Sequence, residues 1–238
     1  MTDDTILKTD SLVKTFGGLT AVDQLSFSVT EGEVAGLIGP NGAGKSTTFD
    51  LITGFHKPTS GSVSLKGKDI TGGKPYKIAT SGIGRTFQDT KPFGKLSVFE
   101  NMLVPQTPDV SGDDKIERAN AIINKLDLNG VADENGEDLS GGQKKLLELA
   151  RVLMLDPDLL LLDEPSAGVN PALMDDILDH IKALNREGHT ILVIEHDMTV
   201  IAELCDTVVV MSNGDAIAEG PFKEIQQDER VRNAYLGT

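Results

Sequence analysis

An α/β fold built on a buried, mainly parallel sheet is what this chain of 238 residues predicts, and three observations carry the expectation. The runs 34–38, 159–162 and 190–194 are apolar without alternation, as strands covered on both faces should be. Segments with helical spacing separate them, as strand–helix–strand units require. The first run leads into Gly39-Pro40-Asn41-Gly42-Ala43-Gly44-Lys45-Ser46-Thr47, which contains the phosphate-binding pattern G-x-x-x-x-G-K-[ST] in full.

From the N-terminus, residues 5–38 alternate short apolar runs with turns and read as strands leading to that loop. The loop lacks bulky side chains, so backbone N–H groups can curl round phosphate oxygens. Lys45 can reach the outer phosphates, and the Ser46 hydroxyl can ligate Mg²⁺. Residues 47–52 read as the helix that follows, closed by Gly54. Residues 61–70 look like a strand pair bent at Gly67-Lys68. After Gln88 the character changes: residues 89–112 hold Pro92, Pro105 and Pro108 and few strand signals. Ile116, Ala119, Ile122, Ile123 and Leu126 then recur at helical spacing across 114–128.

Leu139-Ser140-Gly141-Gly142-Gln143 opens another helix, with Leu146, Leu149, Ala150 and Leu153 on one face, which must stop by Pro157. Ser-Gly-Gly at a helix start offers N–H groups, a hydroxyl and the positive dipole end, although an ordinary capped helix would look the same. The leucine run 159–162 ends in Asp163-Glu164. A core strand explains the leucines but not two acids at its carboxyl end, where open α/β sheets bind ligands. Asp163 is placed to share the Mg²⁺ of Ser46, and Glu164 to orient or deprotonate a water attacking a γ-phosphate. Asn170-Pro171 caps a helix running to Gly188, with Pro at its first position. Strand 190–194 follows, then a short helix from Asp197, a strand over 206–211, an Asn213-Gly214 turn and a last strand near 215–219.

Composition sets limits. The longest apolar runs fall well short of the roughly 18 residues a membrane span needs. Met1-Thr2-Asp3-Asp4 lacks the basic start of a signal peptide, and a single cysteine, Cys205, fits a reducing compartment, so an intracellular chain is expected. Cys205 follows apolar Leu204 and reads as a small core residue. A net charge of −15 argues against nucleic acid and against unaided binding to anionic lipid.

With these motifs in this order, the chain resembles the ATP-binding subunits of ABC transporters over nearly its whole length. The resemblance implies a P-loop NTPase (RecA-like) core with an antiparallel β subdomain, residues 1–88 and 156–238. It makes residues 89–155 an inserted helical subdomain bearing the signature Ser140-Gly141-Gly142-Gln143. Gln88, in Gly84-Arg85-Thr86-Phe87-Gln88, corresponds to the glutamine loop, which touches both metal and catalytic centre. His196, in Ile194-Glu195-His196-Asp197, corresponds to the switch histidine. Phe16 stands where the family stacks an aromatic ring on adenine. ATP and Mg²⁺ are the implied ligands, with Glu164, His196 and Gln88 catalytic.

The resemblance also implies partners. In the family two subunits close head to tail, each signature capping the γ-phosphate on the other's loop, so a second ATP-binding subunit, identical or related, is expected. So are transmembrane permease subunits, which would hold the chain at the cytoplasmic face of the membrane, and indirectly a periplasmic or extracellular solute-binding protein. Ser166-Ala167-Gly168-Val169-Asn170, Gly82 to Gln88, Ile194-Glu195-His196-Asp197-Met198 and Ala234-Tyr235-Leu236-Gly237 are similar to the ATPases of branched-chain amino acid importers. Urea importers and lipopolysaccharide exporters use related ATPases. A soluble ABC ATPase acting on nucleic acid or ribosomes usually has two fused units, a long coiled coil or basic segments, none of which is present here.

Overall fold

The computed structural model describes residues 4–89, 91–107 and 110–236. Pro108, Gly237 and the Met1 to Asp3 start used above lie outside the described residues.

Strands β1 (Thr5–Phe16) and β2 (Leu19–Thr30) form a hairpin, and β3 (Val34–Ile38) leads to the glycine loop and α1 (Lys45–Ile52). Then come β4 (Ser60–Leu65), β5 (Lys68–Asp69), α2 (Pro75–Thr80), β6 (Ile83–Arg85), α3 (Val98–Leu103) and α4 (Asp113–Lys125). A 3₁₀ turn at Asn129–Val131 precedes α5 (Gly141–Leu153), β7 (Leu159–Asp163), α6 (Pro171–Arg186), β8 (Thr190–Ile194) and α7 (Met198–Leu204). The chain continues through β9 (Thr207–Ser212), β10 (Asp215–Gly220), α8 (Phe222–Ile225) and α9 (Glu229–Leu236).

Two sheets result. One is antiparallel, in the order β2-β1-β4-β5; the other runs β10-β9-β3-β8-β7-β6, parallel except for edge strand β10. Alternation within the buried strands divides the core. Val34, Ile38, Leu160, Leu162, Ile191 and Val193 pack with the helices of 98–153 and with α6 and α7. Leu37, Leu159, Leu161, Leu192 and Ile194 pack with Phe49 and Ile52 of α1 and with the antiparallel sheet. Each strand thus serves two hydrophobic layers, which is why no polar alternation shows in its sequence.

Some boundaries differ from expectation. Leu65 pairs with Lys68, so the hairpin turn is Lys66-Gly67, both at positive φ, one residue before the Gly67-Lys68 bend expected. Ile116 sits on the predicted stripe of α4, in its first turn, but is exposed, while Ala119, Ile122 and Ile123 are buried. Helices α2 and α3 each hold six residues, too few for a periodic signal. The Asn213-Gly214 turn has positive φ at both residues, as a tight hairpin requires.

Candidate functional site

Strands β3, β8 and β7 are parallel neighbours, and their register aligns Leu37, Ile194 and Asp163 in one row. The three segments that leave these strands, at 39–47, 195–197 and 164–170, therefore emerge together at the carboxyl edge of the sheet. They border an open cleft of about 830 Å³, lined by Phe16, Leu19, Ala21, residues 41–47, Gln88, Glu164 and His196.

The loop's shape depends on glycine. Gly44 has φ 104°, and a Cβ there would lie 2.4 Å from the Ala21 carbonyl oxygen; one on Gly39 would lie 2.3 Å from that of Met211. Gly44 is also the N-cap of α1, with no side chain bonded to the helix start, so the dipole and amides of that end face the cleft. Lys45 is buried and folded back over the loop, its Nζ donating to Gly39 O at 2.7 Å and Pro40 O at 3.2 Å. Burial lowers its pKa, opposed by the carboxylates of Glu164 and Asp163. Ser46 is exposed at the cleft. Phe16 is exposed too, edge-on to His56 with ring centroids 5.1 Å apart.

Asp163 lies behind the cleft lining. Its Oδ2 accepts from Arg85 Nη2 at 3.2 Å, and Arg85 Nη1 also binds Asp50 at 2.7 Å. Burial raises the Asp163 pKa, and the guanidinium opposes that rise. Glu164 faces the cleft. Gln88 Nε2 donates to its Oε2 at 2.7 Å, and His196 Nε2 lies 2.6 Å from its Oε1. Its backbone is left-handed, φ 49°, a conformation that costs about 1–2 kcal/mol in a residue with a Cβ. Neighbours fix it there: its N–H donates to Ile194 O at 2.9 Å, and its carbonyl accepts from Lys145 Nζ at 2.6 Å and Ala167 N–H at 3.1 Å. Strain of this kind, held by several bonds, is typical of functional positions.

The signature residues stand apart. Ser140 caps α5: its hydroxyl accepts from Gln143 N–H at 3.4 Å, while Gln143 Oε1 accepts from Ser140 N–H at 2.9 Å. None of Ser140, Gly141, Gly142 and Gln143 lines the cleft of this chain. Gly142 lies against α6, where a Cβ would come 1.7 Å from Leu173 Cδ2. The structure thus brings Phe16, the loop residues, Gln88, Glu164 and His196 together and leaves 140–143 elsewhere.

Sequence reasoning missed Arg85, Lys145 and Glu195. Glu195 is buried, its Oε1 accepting from Ser166 N–H at 2.8 Å and its Oε2 from His196 N–H at 3.2 Å. Two of the three lie inside segments the sequence had singled out, but one charged residue in a motif carries no spacing signal of its own. Among the described residues no cluster of three or more His, Cys, Asp or Glu could hold a metal, and no helix is long and apolar enough to cross a membrane.

Comparison with known proteins identifies the family. The model of the ABC transporter family matches residues 22–167, and that of the branched-chain amino acid ATP-binding cassette transporters matches 217–238. The chain is 39% identical to the probable branched-chain amino acid transport ATP-binding protein LivG of Archaeoglobus fulgidus, over 98% of this chain and 95% of that one. An ATP-binding cassette of an ABC transporter, solved in its ADP conformation, superposes with a TM-score of 0.90 at 38% identity, covering 98% of this chain and 99% of the other. A bacterial ABC transporter cassette solved as a dimer gives a TM-score of 0.81 at 26% identity, covering 91% and 99%.

Proposed function

The chain belongs to the ABC transporter family of ATP-binding proteins and is an ATPase, and from that premise we propose that it powers import of branched-chain amino acids across the cytoplasmic membrane. One observation carries the solute class: residues 217–238, beyond the general ATPase match, fit the family specific to those importers. The LivG relative supports the same reading.

In the cleft, the amides of 41–47 cradle the phosphates, and Phe16 takes the adenine. Lys45 exchanges its loop carbonyls for the outer phosphate oxygens. Glu164 receives the proton of the attacking water at its carboxylate, while Gln88 and His196 fix both oxygens of that carboxylate. The Ser46 hydroxyl, the Asp163 carboxylate and the Gln88 amide oxygen are hard oxygen donors of the kind Mg²⁺ prefers, so the residues fit that ion. When bound it would neutralise phosphate charge during transfer.

Because 140–143 lie outside the chain's own cleft, the complete site needs a second ATP-binding subunit, set head to tail. Residues 89–155 act as the signature-bearing helical subdomain, against the core of 1–88 and 156–238. A groove of about 670 Å³, lined among others by Tyr76, Phe87, Val104, Pro105, Arg118 and Arg151, supplies apolar surface edged by charges of both signs, Arg118 being paired with Asp156 at 2.9 Å. We assign it to the permease subunits, which would tether the chain to the membrane. The charge of −15 disfavours the nucleic-acid reading.

The test is reconstitution with permeases and a solute-binding protein in vesicles holding ATP. Uptake of labelled leucine, lost in a Lys45→Ala chain, is the expected result. Transport of urea with no leucine uptake would overturn the solute assignment.

A further inference from the structure

We propose that Lys145 and Glu195 are positioning residues that hold Glu164 in its left-handed backbone and couple it to the signature helix, an inference that rests on Glu164 being the catalytic base. Lys145 lies on α5, five residues beyond Ser140, and its Nζ donates to the Glu164 carbonyl at 2.6 Å. The orientation of that carbonyl belongs to the peptide plane beside a residue at φ 49°. A change in that φ would move both the carbonyl and the Cβ, and with it the carboxylate held by Gln88 and His196. A lysine tip drawn into a half-buried place carries a desolvation cost, so its location needs a compensating partner. The carboxylates of Glu148, Glu195, Glu164 and Asp163 supply the surrounding negative field.

Glu195 completes the clamp through the neighbouring backbone. It is buried, and its two oxygens take the N–H groups of Ser166 and His196. One carboxylate therefore ties the segment after the base to the segment carrying the histidine. With Lys145 on the Glu164 carbonyl and Glu195 on the Ser166 N–H, residues 164–166 are joined to α5 and to the end of β8. A shift of α5, such as engagement of Ser140 by a second subunit would impose, is then transmitted to the carbonyl of the base in the same chain.

The test uses the full-length chain carrying Lys145→Met, Lys145→Arg or Glu195→Gln, with Glu164→Gln measured in parallel. Removing a charged hydrogen bond to the base should lower kcat about tenfold. KM for ATP and the melting temperature should hold in Lys145→Met, and Lys145→Arg, which keeps a donor, should recover most of the rate. Should Lys145→Met fail to fold, Glu195→Gln decides, because it keeps an acceptor for Ser166 while losing one for His196. A kcat within twofold of wild type in folded Lys145→Met or Glu195→Gln, or a loss that follows KM or melting temperature, overturns the proposal. If Glu164→Gln is inactive while Lys145→Met and Glu195→Gln are normal, the proposal fails and the base assignment stands. If Glu164→Gln itself turns over normally, the base assignment fails first.

Discussion

Replacing Glu164 by Gln tests the catalytic reading most directly. The amide is the same size as the carboxylate, so it can keep one of two contacts, with Gln88 Nε2 at 2.7 Å or with His196 Nε2 at 2.6 Å. Its NH₂ must face the other donor, losing a charge-assisted bond worth about 1.5–3 kcal/mol in isolation. Both partners are exposed and can turn to water, so the effect on folding should stay near 1 kcal/mol or below. The effect on rate should be larger. A positioned base contributes about 10²–10⁴-fold, which is about 2.7–5.4 kcal/mol of barrier at 1.36 kcal/mol per tenfold. ATP affinity should hold, because the proposed phosphate site is made by residues 41–47, Lys45 included, and none of them bonds Glu164. Phosphate release under saturating ATP and Mg²⁺ measures the first effect, and calorimetric titration the second. Light scattering should show an ATP-dependent dimer that persists, since turnover no longer releases it. Hydrolysis within threefold of wild type would refute the reasoning, because no step would then depend on the carboxylate.

The other predictions concern different parts of the molecule. Lys45→Ala should weaken ATP binding as well as hydrolysis, and unchanged affinity by calorimetry would show that the loop is not the nucleotide site. Gly44→Ala forces a Cβ to 2.4 Å from the Ala21 carbonyl at φ 104°, so nucleotide binding should be lost, with a fall in melting temperature as the loop shifts; normal binding would contradict the cradle. Burial pushes the Cys205 thiol up to about 12, so at pH 8 only about 10⁻⁴ of it is thiolate and native alkylation should be about 10³-fold slower than in denaturant; rapid labelling of the folded chain would count against it. Ser140→Arg should block closure while sparing ATP binding, and mixing it with Lys45→Ala chains in a homodimer should restore some hydrolysis. No rescue in a confirmed dimer argues against head-to-tail sharing.

Much of this architecture was legible because its signals are local. The glycine loop, the leucine run ending in Asp163-Glu164 and the caps at Ser140 and Asn170 each lie in a single window of sequence, and the structure places a strand end or helix start at each. Helices α2 and α3 were not legible because six residues give too little periodicity. The Lys66-Gly67 turn was misplaced by one residue, since register follows from pairing with β1 rather than from the glycine itself. Lys145 and Glu195 escaped notice for a related reason. Their bonds to Glu164 and Ser166 span 19 and 29 residues, and no local pattern reports a contact made across the fold.

The arrangement of charge explains why one chain holds a cleft yet, on this reading, half a site. Lys45, proposed to meet the outer phosphates, is lodged on the Gly39 and Pro40 carbonyls, which gives it a resting place. The signature offers no cation. It presents a hydroxyl and amides at the start of a 13-residue helix, and Ser140 already serves that helix as its cap. Donors without net charge bind phosphate weakly from water but well once water is excluded. Such a surface adds little to nucleotide capture by a single chain and much to a closed interface with phosphate between two chains. ATP then favours the closed state by differential affinity. On the proposed assignment of Glu164 as base, cleavage of the γ-phosphate removes the ligand common to both halves and frees the pair to open.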